Sequence, residues 1–177
     1  MSVVIARLAP SPTGVLHLGN ARSFLLAWLS ARAVGGQVLL RIEDLDGPRV
    51  KEGALESTLE DLEWMGLDWD GEMLVQTDRM DAYRTAIACL LDSGRAYPCV
   101  CSRKEVEEAA SAPHEELQHE AAAYAGTCRG RFETVEHAME DTGREAAVRF
   151  RVDTDSVPFV DGFLGQQQGA IAGDFVI

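Results

Sequence analysis

Residues 3–8 (Val-Val-Ile-Ala-Arg-Leu) form a short apolar run rich in β-branched side chains that stops at the breaker cluster Ala9-Pro10-Ser11-Pro12-Thr13-Gly14. A run of this length bounded by Pro and Gly predicts a strand and then a loop. Beyond Gly19 the apolar positions Ala21, Phe24, Leu25, Trp28 and Leu29 recur at spacings of three and four until Gly35-Gly36. That is the period of an amphipathic helix with a glycine stop. Val38 to Ile42 reads as a second buried strand, so the first fifty residues spell strand, loop, helix, strand, with a parallel right-handed crossover as the expected geometry.

Two further helices are predicted. One carries Leu55, Leu59, Leu62 and Met65 and stops at Gly66; the other carries Tyr83, Ile87, Leu90 and Leu91 and stops at Gly94. Ser102 with Glu105 makes a capping box that opens a shorter helix, after which 109–127 is rich in Ala, Glu and His with weak periodicity and reads as a mobile excursion. Ala147 to Val152, Val157 to Val160 and Asp174 to Ile177 read as strands, and the stretch from Gly162 to Gly173 reads as turn. Phe175-Val176-Ile177 ends on strand formers with no terminating turn, so a piece of a longer protein is expected, with little activity by itself.

A chain of 177 residues, 46% hydrophobic and 25% charged, is long enough to bury a proper core. No apolar run reaches the roughly 18 residues of a membrane span, and Met1 to Arg7 lacks a secretion-signal layout; a cytoplasmic, monomeric protein without membrane contact is the expectation. The net charge of −13 argues against a surface that coats nucleic acid, so any RNA contact is local. The acidic stretches 52–72 and 105–120 read as solvated helix faces.

Two patterns carry chemistry. In the first, Pro10 to Asn20 links a strand to a helix, and the helix N-terminus with its exposed N–H groups favours a polyphosphate. His17 can donate to phosphate oxygens and Gly19 lets an adenine or ribose approach the backbone, although a histidine before a helix is more often a cap. In the second, Cys99-Val-Cys101 is followed, after 22 intervening residues, by Tyr124-Ala-Gly-Thr-Cys128, and together these offer three thiolates and a phenol to a metal such as zinc. A phenol titrates near 10, so chemistry alone favours water, His114 or His119 as the fourth ligand. The fourth cysteine, Cys89, lies beside Leu90 and reads as core.

Arg7-Leu-Ala-Pro-Ser-Pro-Thr-Gly14, His17-Leu-Gly-Asn20, Arg41-Ile-Glu-Asp-Leu-Asp46 with Arg49, and Gly66-Leu-Asp-Trp-Asp70 together resemble the N-terminal half of the glutamyl-tRNA synthetases and their short paralogues, over most of residues 5–104. The resemblance implies an α/β fold of the class I type, a Rossmann-like parallel-sheet nucleotide-binding domain, incomplete here and carrying a zinc-bearing insertion. Its first half would span 1–98, the insertion 99–131, and the connecting region with the start of the next strand 132–177. It implies that Arg7, Ala9, Ser11 and Glu43 hold L-glutamate, Arg7 on the side-chain carboxylate and Glu43 on the α-ammonium; an Arg7–Glu43 pair in the core is the alternative. Pro10, His17, Gly19 and Asn20 would serve ATP with its Mg²⁺, His17 and Gly19 being the catalytic pair of a His-Ile-Gly-His-like signature whose fourth position is here Asn20.

In the short paralogues a Cys-x-Cys…Tyr-x3-Cys set binds a structural zinc, which implies Cys99, Cys101, Tyr124 and Cys128 as ligands. Full-length synthetases tend to finish with Cys-x-His, and residue 130 is Gly. The expected function is therefore activation of glutamate to glutamyl-adenylate and its transfer to the queuosine base of tRNA(Asp). The alternatives are a truncated glutamyl-tRNA synthetase charging tRNA(Glu), a non-catalytic zinc module, and a different His-x-Gly-His nucleotidyltransferase. Intact Arg7, Ser11, His17 and Glu43 speak against the module, and the Arg-Ile-Glu-Asp block against the last.

Overall fold

The computed structural model describes residues 3–110, 124–171 and 173–177. The chain folds as two compact units, residues 1–82 and 83–177.

In the first unit β1 (Ile5–Leu8) pairs in parallel with β2 (Gln37–Ile42), joined by α1 (Leu18–Arg32). A short strand, β3 (Leu74–Val75), adds in parallel on the other side of β2, giving the order β1-β2-β3. The register sets Leu8 opposite Leu40 and Ala6 opposite Val38, and strand alternation then sends Leu8, Val38, Leu40 and Ile42 to one face. There they form a core with Phe24 and Ala31 of α1, and with Leu62 of α2 (Ala54–Trp64) and Leu67. Burial of the Val, Leu, Ile and Phe side chains among them stabilises the unit by roughly 1.5–3 kcal/mol each.

Asp68 and Asp70, after α2, fasten this layer. Asp68 accepts from the Trp28 indole (2.7 Å) and pairs with Arg32 (3.0 Å). Asp70 pairs with Arg32 (2.7 Å) and accepts the Val38 N–H (2.8 Å), while its own N–H donates to the Val38 carbonyl (2.7 Å). Asp70 thus acts as a one-residue strand on the β2 edge ahead of β3.

The second unit takes most of α3 (Met80–Asp92) and then β4 (Ala96–Cys99), α4 (Arg103–Ala110), α5 (Val135–Thr142) and β5 (Ala147–Phe150). It closes with β6 (Ser156–Asp161), β7 (Gly165–Ala170) and β8 (Phe175–Val176). The sheet β4-β5-β8 is antiparallel, and β6 with β7 forms a separate hairpin. The core holds Tyr97, Cys99, Val100, Tyr124, Cys128, Phe132 and Ala138.

Four elements depart from the pattern reading. β4 was not read; it carries Pro98, which is tolerated because β4 is an edge strand, where a missing N–H breaks no ladder. β7 (Gly-Gln-Gln-Gln-Gly-Ala) read as turn, yet it pairs along its length with β6 after a reversal in which Asp161 accepts the Phe163 and Leu164 N–H groups (both 2.8 Å). β3 and α5 were not read, although Thr134 caps α5 and left-handed Gly143 ends it. Cys89 is exposed, not core: Tyr83, Ile87, Leu90 and Leu91 share one helical face and Cys89 lies on the opposite one. The Ser102–Glu105 capping box is present, with Glu105 accepting the Ser102 N–H (2.7 Å). The excursion read at 109–127 and the alternative ligands His114 and His119 fall mostly or wholly outside the described residues.

Candidate functional site

In the first unit the strand register places the candidate residues. The hydrogen-bond step from Gln37 N–H to the Val4 carbonyl recurs as Glu43 N–H to the Pro10 carbonyl (both 2.9 Å), so the ladder runs on past Leu8 and Ile42. Alternation then puts Arg7, Ala9 and, on β2, Leu39, Arg41 and Glu43 on the face opposite the core. That face is open: Ile5 is 58% and Leu39 43% exposed. The Arg7 guanidinium is exposed and has no hydrogen bond or ion pair among the described residues. The Arg7–Glu43 pair is absent; the partner of Glu43 is Arg41, whose Nη2 sits on Oε1 while its buried Nε has no partner. Asp44 is turned the other way and accepts from the Thr77 N–H (3.0 Å) and hydroxyl (2.5 Å).

His17 is the N-cap of α1. Its Nδ1 accepts the Gly19 N–H (3.0 Å), and the Asn20 side chain accepts the His17 N–H (3.2 Å), a reciprocal capping box. With Nδ1 as acceptor, the ring proton of the neutral imidazole lies on Nε2, available as a donor. The cap and donor readings of His17 are therefore compatible, and Asn20, expected to border ATP, supports the cap. A Cβ on Gly19 would stand 2.9 Å from His17 Cε1 and 3.0 Å from Nδ1. A side chain there would displace the imidazole from its cap. The first turn of α1 carries no acidic residue, so its dipole and exposed His17 meet no negative side chain of their own.

In the second unit Cys99, Cys101 and Cys128 bring their sulfurs within 4.8 Å of one another, and this cluster could hold a metal ion. Tyr124 Oη lies 3.3 Å from Cys99 Sγ and 3.6 Å from Cys101 Sγ, and Cys101 Sγ lies 3.6 Å from Cys128 Sγ. A tetrahedral zinc with bonds of about 2.3 Å to sulfur and 2.0 Å to oxygen sets S···S edges of about 3.8 Å and S···O edges of about 3.5 Å. The four donors fit that outline. Burial pushes the Cys101 thiol up to about 11 and, with the neighbouring thiols, drives the Tyr124 phenol far higher. At Cys128 burial is outweighed by hydrogen bonds from Tyr124 and the Val100 N–H, and the thiol falls below its ordinary value. Four such groups repel one another as anions, and a divalent cation among them supplies the missing charge.

Beside the cluster lies a polar network that the sequence reading missed. Asp174, 4% exposed, accepts from the Tyr97 hydroxyl, Arg129 Nε (2.7 Å) and the Val152 N–H (2.8 Å). Although burial opposes its ionisation, these donors hold its carboxyl down at about 2. Arg149, also buried, donates Nε to Cys99 Sγ (3.2 Å) and Nη1 to the Asp174 carbonyl (3.1 Å). Arg149 and Arg151 alternate with Val148, Phe150 and Val152, which on pattern alone reads as a solvent face; the one available signal was Arg129 directly after Cys128.

A parallel β-α-β unit within the three-stranded sheet β1-β2-β3 fits a Rossmann-like fold. The family model of the class I tRNA synthetases (E and Q), catalytic domain, matches residues 3–170, and the chain belongs to this family. It is 45% identical over 170 residues to a glutamyl-Q tRNA(Asp) synthetase of Rhodopirellula baltica, covering 94% of this chain and 51% of that one. A glutamate–tRNA ligase of Synechocystis is 40% identical, covering 98% of this chain and 36% of that one. The crystal structure of a glutamate–tRNA synthetase from Elizabethkingia anophelis superposes with a TM-score of 0.75 at 28% identity, over 99% of this chain and 39% of that one. The chain spans about half the length of the curated glutamyl-Q relatives it matches.

Proposed function

We propose that this chain supplies the ATP- and glutamate-handling part of an enzyme that makes glutamyl-adenylate and transfers the glutamyl group to the queuosine base of tRNA(Asp). The observation that carries the reading is the coincidence, in one chain, of likeness to glutamyl-Q tRNA(Asp) synthetases with a three-cysteine, one-tyrosine donor set of tetrahedral dimensions. In this reading residues 1–98 form the first half of the nucleotide-binding domain, 99–131 a zinc-bearing insertion and 132–177 the connection onward.

Arg7 receives the side-chain carboxylate of L-glutamate, its guanidinium being uncommitted, and Glu43, oriented by Arg41, receives the α-ammonium. Ala9 and Ser11 continue the same strand and loop as close contacts of the amino acid. Pro10, His17, Gly19 and Asn20 border the ATP, and His17 Nε2–H donates to phosphate oxygens as charge shifts onto them. Mg²⁺, when bound with ATP, neutralises the phosphates. An oxygen of the α-carboxylate bonds to the α-phosphorus as the bond from that phosphorus to the bridging β-phosphate oxygen breaks, releasing pyrophosphate. A nucleophilic group of the queuosine base then takes the glutamyl carbon and AMP leaves. Zn²⁺ on Cys99, Cys101, Tyr124 and Cys128 is structural.

The likeness to glutamate–tRNA ligases supports a second reading, charging of tRNA(Glu). Glutamate-dependent ATP–pyrophosphate exchange by the product of the complete gene, with no tRNA present, separates the two. Exchange without tRNA supports the queuosine reading; exchange only with tRNA(Glu) overturns it in favour of the second.

A further inference from the structure

Arg149 is a buried guanidinium, 9% exposed, with no carboxylate partner among the described residues. A guanidinium stays protonated in a protein, and a buried charge is costly unless an opposite charge faces it. Its neighbours are unusual for a buried arginine. Nε points at Cys99 Sγ (3.2 Å), the guanidinium carbon lies 3.9 Å from the centre of the Tyr124 ring, and Nη1 is taken by a backbone carbonyl. Two of the four candidate metal ligands are thus touched by one cation, held on β5 between β4, which carries Cys99, and β8.

From this juxtaposition we infer that Arg149 is the counter-charge of the metal centre: a positioning residue whose cation lies against the Cys99 sulfur and the Tyr124 ring, beside the place of a divalent ion. The inference rests on the metal reading above. Three thiolates and a divalent cation carry a net charge of −1, and a Tyr124 phenolate makes it −2; the buried Arg149 brings these to 0 and −1, while Arg144, a further cation that acts on Cys101 and Cys128, is already paired with Glu105.

The test is zinc affinity by competition with a chromophoric chelator, together with the thiolate-to-metal absorption of the Co²⁺-loaded protein, in the parent chain and in R149K, R149M and R149Q. Circular dichroism establishes which variants fold. The neutral variants are expected to lose roughly 10–100-fold in affinity with weakened charge-transfer absorption, and R149K, which restores the charge, to stay within about threefold of the parent. Equal affinity in all folded variants, or equal loss in R149K and the neutral pair, overturns the inference. If neither neutral variant folds, R149K decides: retention supports it, and a tenfold loss overturns it. A parent that holds less than about half an equivalent of zinc overturns the metal reading itself, whereas a loaded parent with unaffected R149M overturns only the role of Arg149.

Discussion

A methyl group on residue 19 would strike the His17 ring, so Gly19→Ala tests the cap and the donor together. The ring must leave its place over the first turn, and the variant is expected to lose about 1 kcal/mol of stability in urea unfolding through the lost cap. Glutamate-dependent pyrophosphate exchange should fall roughly 100-fold, because Nε2 moves with the ring. At Asp174 the sign follows from a carboxyl held at about 2 against an ordinary 3.8. Its contribution, about 2 kcal/mol, is fully present above the ordinary value and is lost as pH falls toward 2. Asp174→Asn should therefore be less stable than the parent by about that amount at pH 7 in urea unfolding, and the gap should close near pH 2. The sequence exposed Arg7, His17 and Glu43 as chemically active types in a recognisable order. It could not expose Arg149 or Asp174, because their meaning comes from partners fifty and seventy-seven positions away, Cys99 and Tyr97.

Among the elements, those built from local period and local stops were legible: α1, α2 and α3 each end at a glycine that leaves the helix in the left-handed region, and β1 and β2 are short apolar runs between breakers. β4 and β7 were not, since Pro98 and the Gln166–Gln168 run are strands only because β5 and β6 supply their ladders. The Gly66–Asp70 motif was visible as a likeness, while its physical task, fastening α1 to β2, required the structure. That task ranks two substitutions. Asp70→Ala strips the Val38 N–H of its acceptor and Arg32 of a partner, whereas Asp68→Ala removes contacts to Trp28 and Arg32 only. Urea midpoints should fall further for D70A than for D68A, with the protection of the Val38 amide against exchange lost only in D70A.

At the scale of the molecule, the metal reading assigns stability unequally. Cys99, Cys101, Tyr124 and Cys128 all belong to the second unit, so a chelator should reduce amide protection in β4, β5 and around Tyr124 while leaving the β1–β2 ladder unchanged. Hydrogen exchange read with and without chelator checks this, and equal loss in both units contradicts it. The cluster also has a consequence for what the chain between Cys101 and Tyr124 is free to become. A clip that joins its two ends sets the entropy of closing that loop, and this grows only logarithmically, about 0.6 kcal/mol for each doubling of length. Those 22 residues include α4 (Arg103–Ala110), so length added after Ala110 is the change expected to carry this small cost, a port for grafting a foreign peptide or a reporter into the fold.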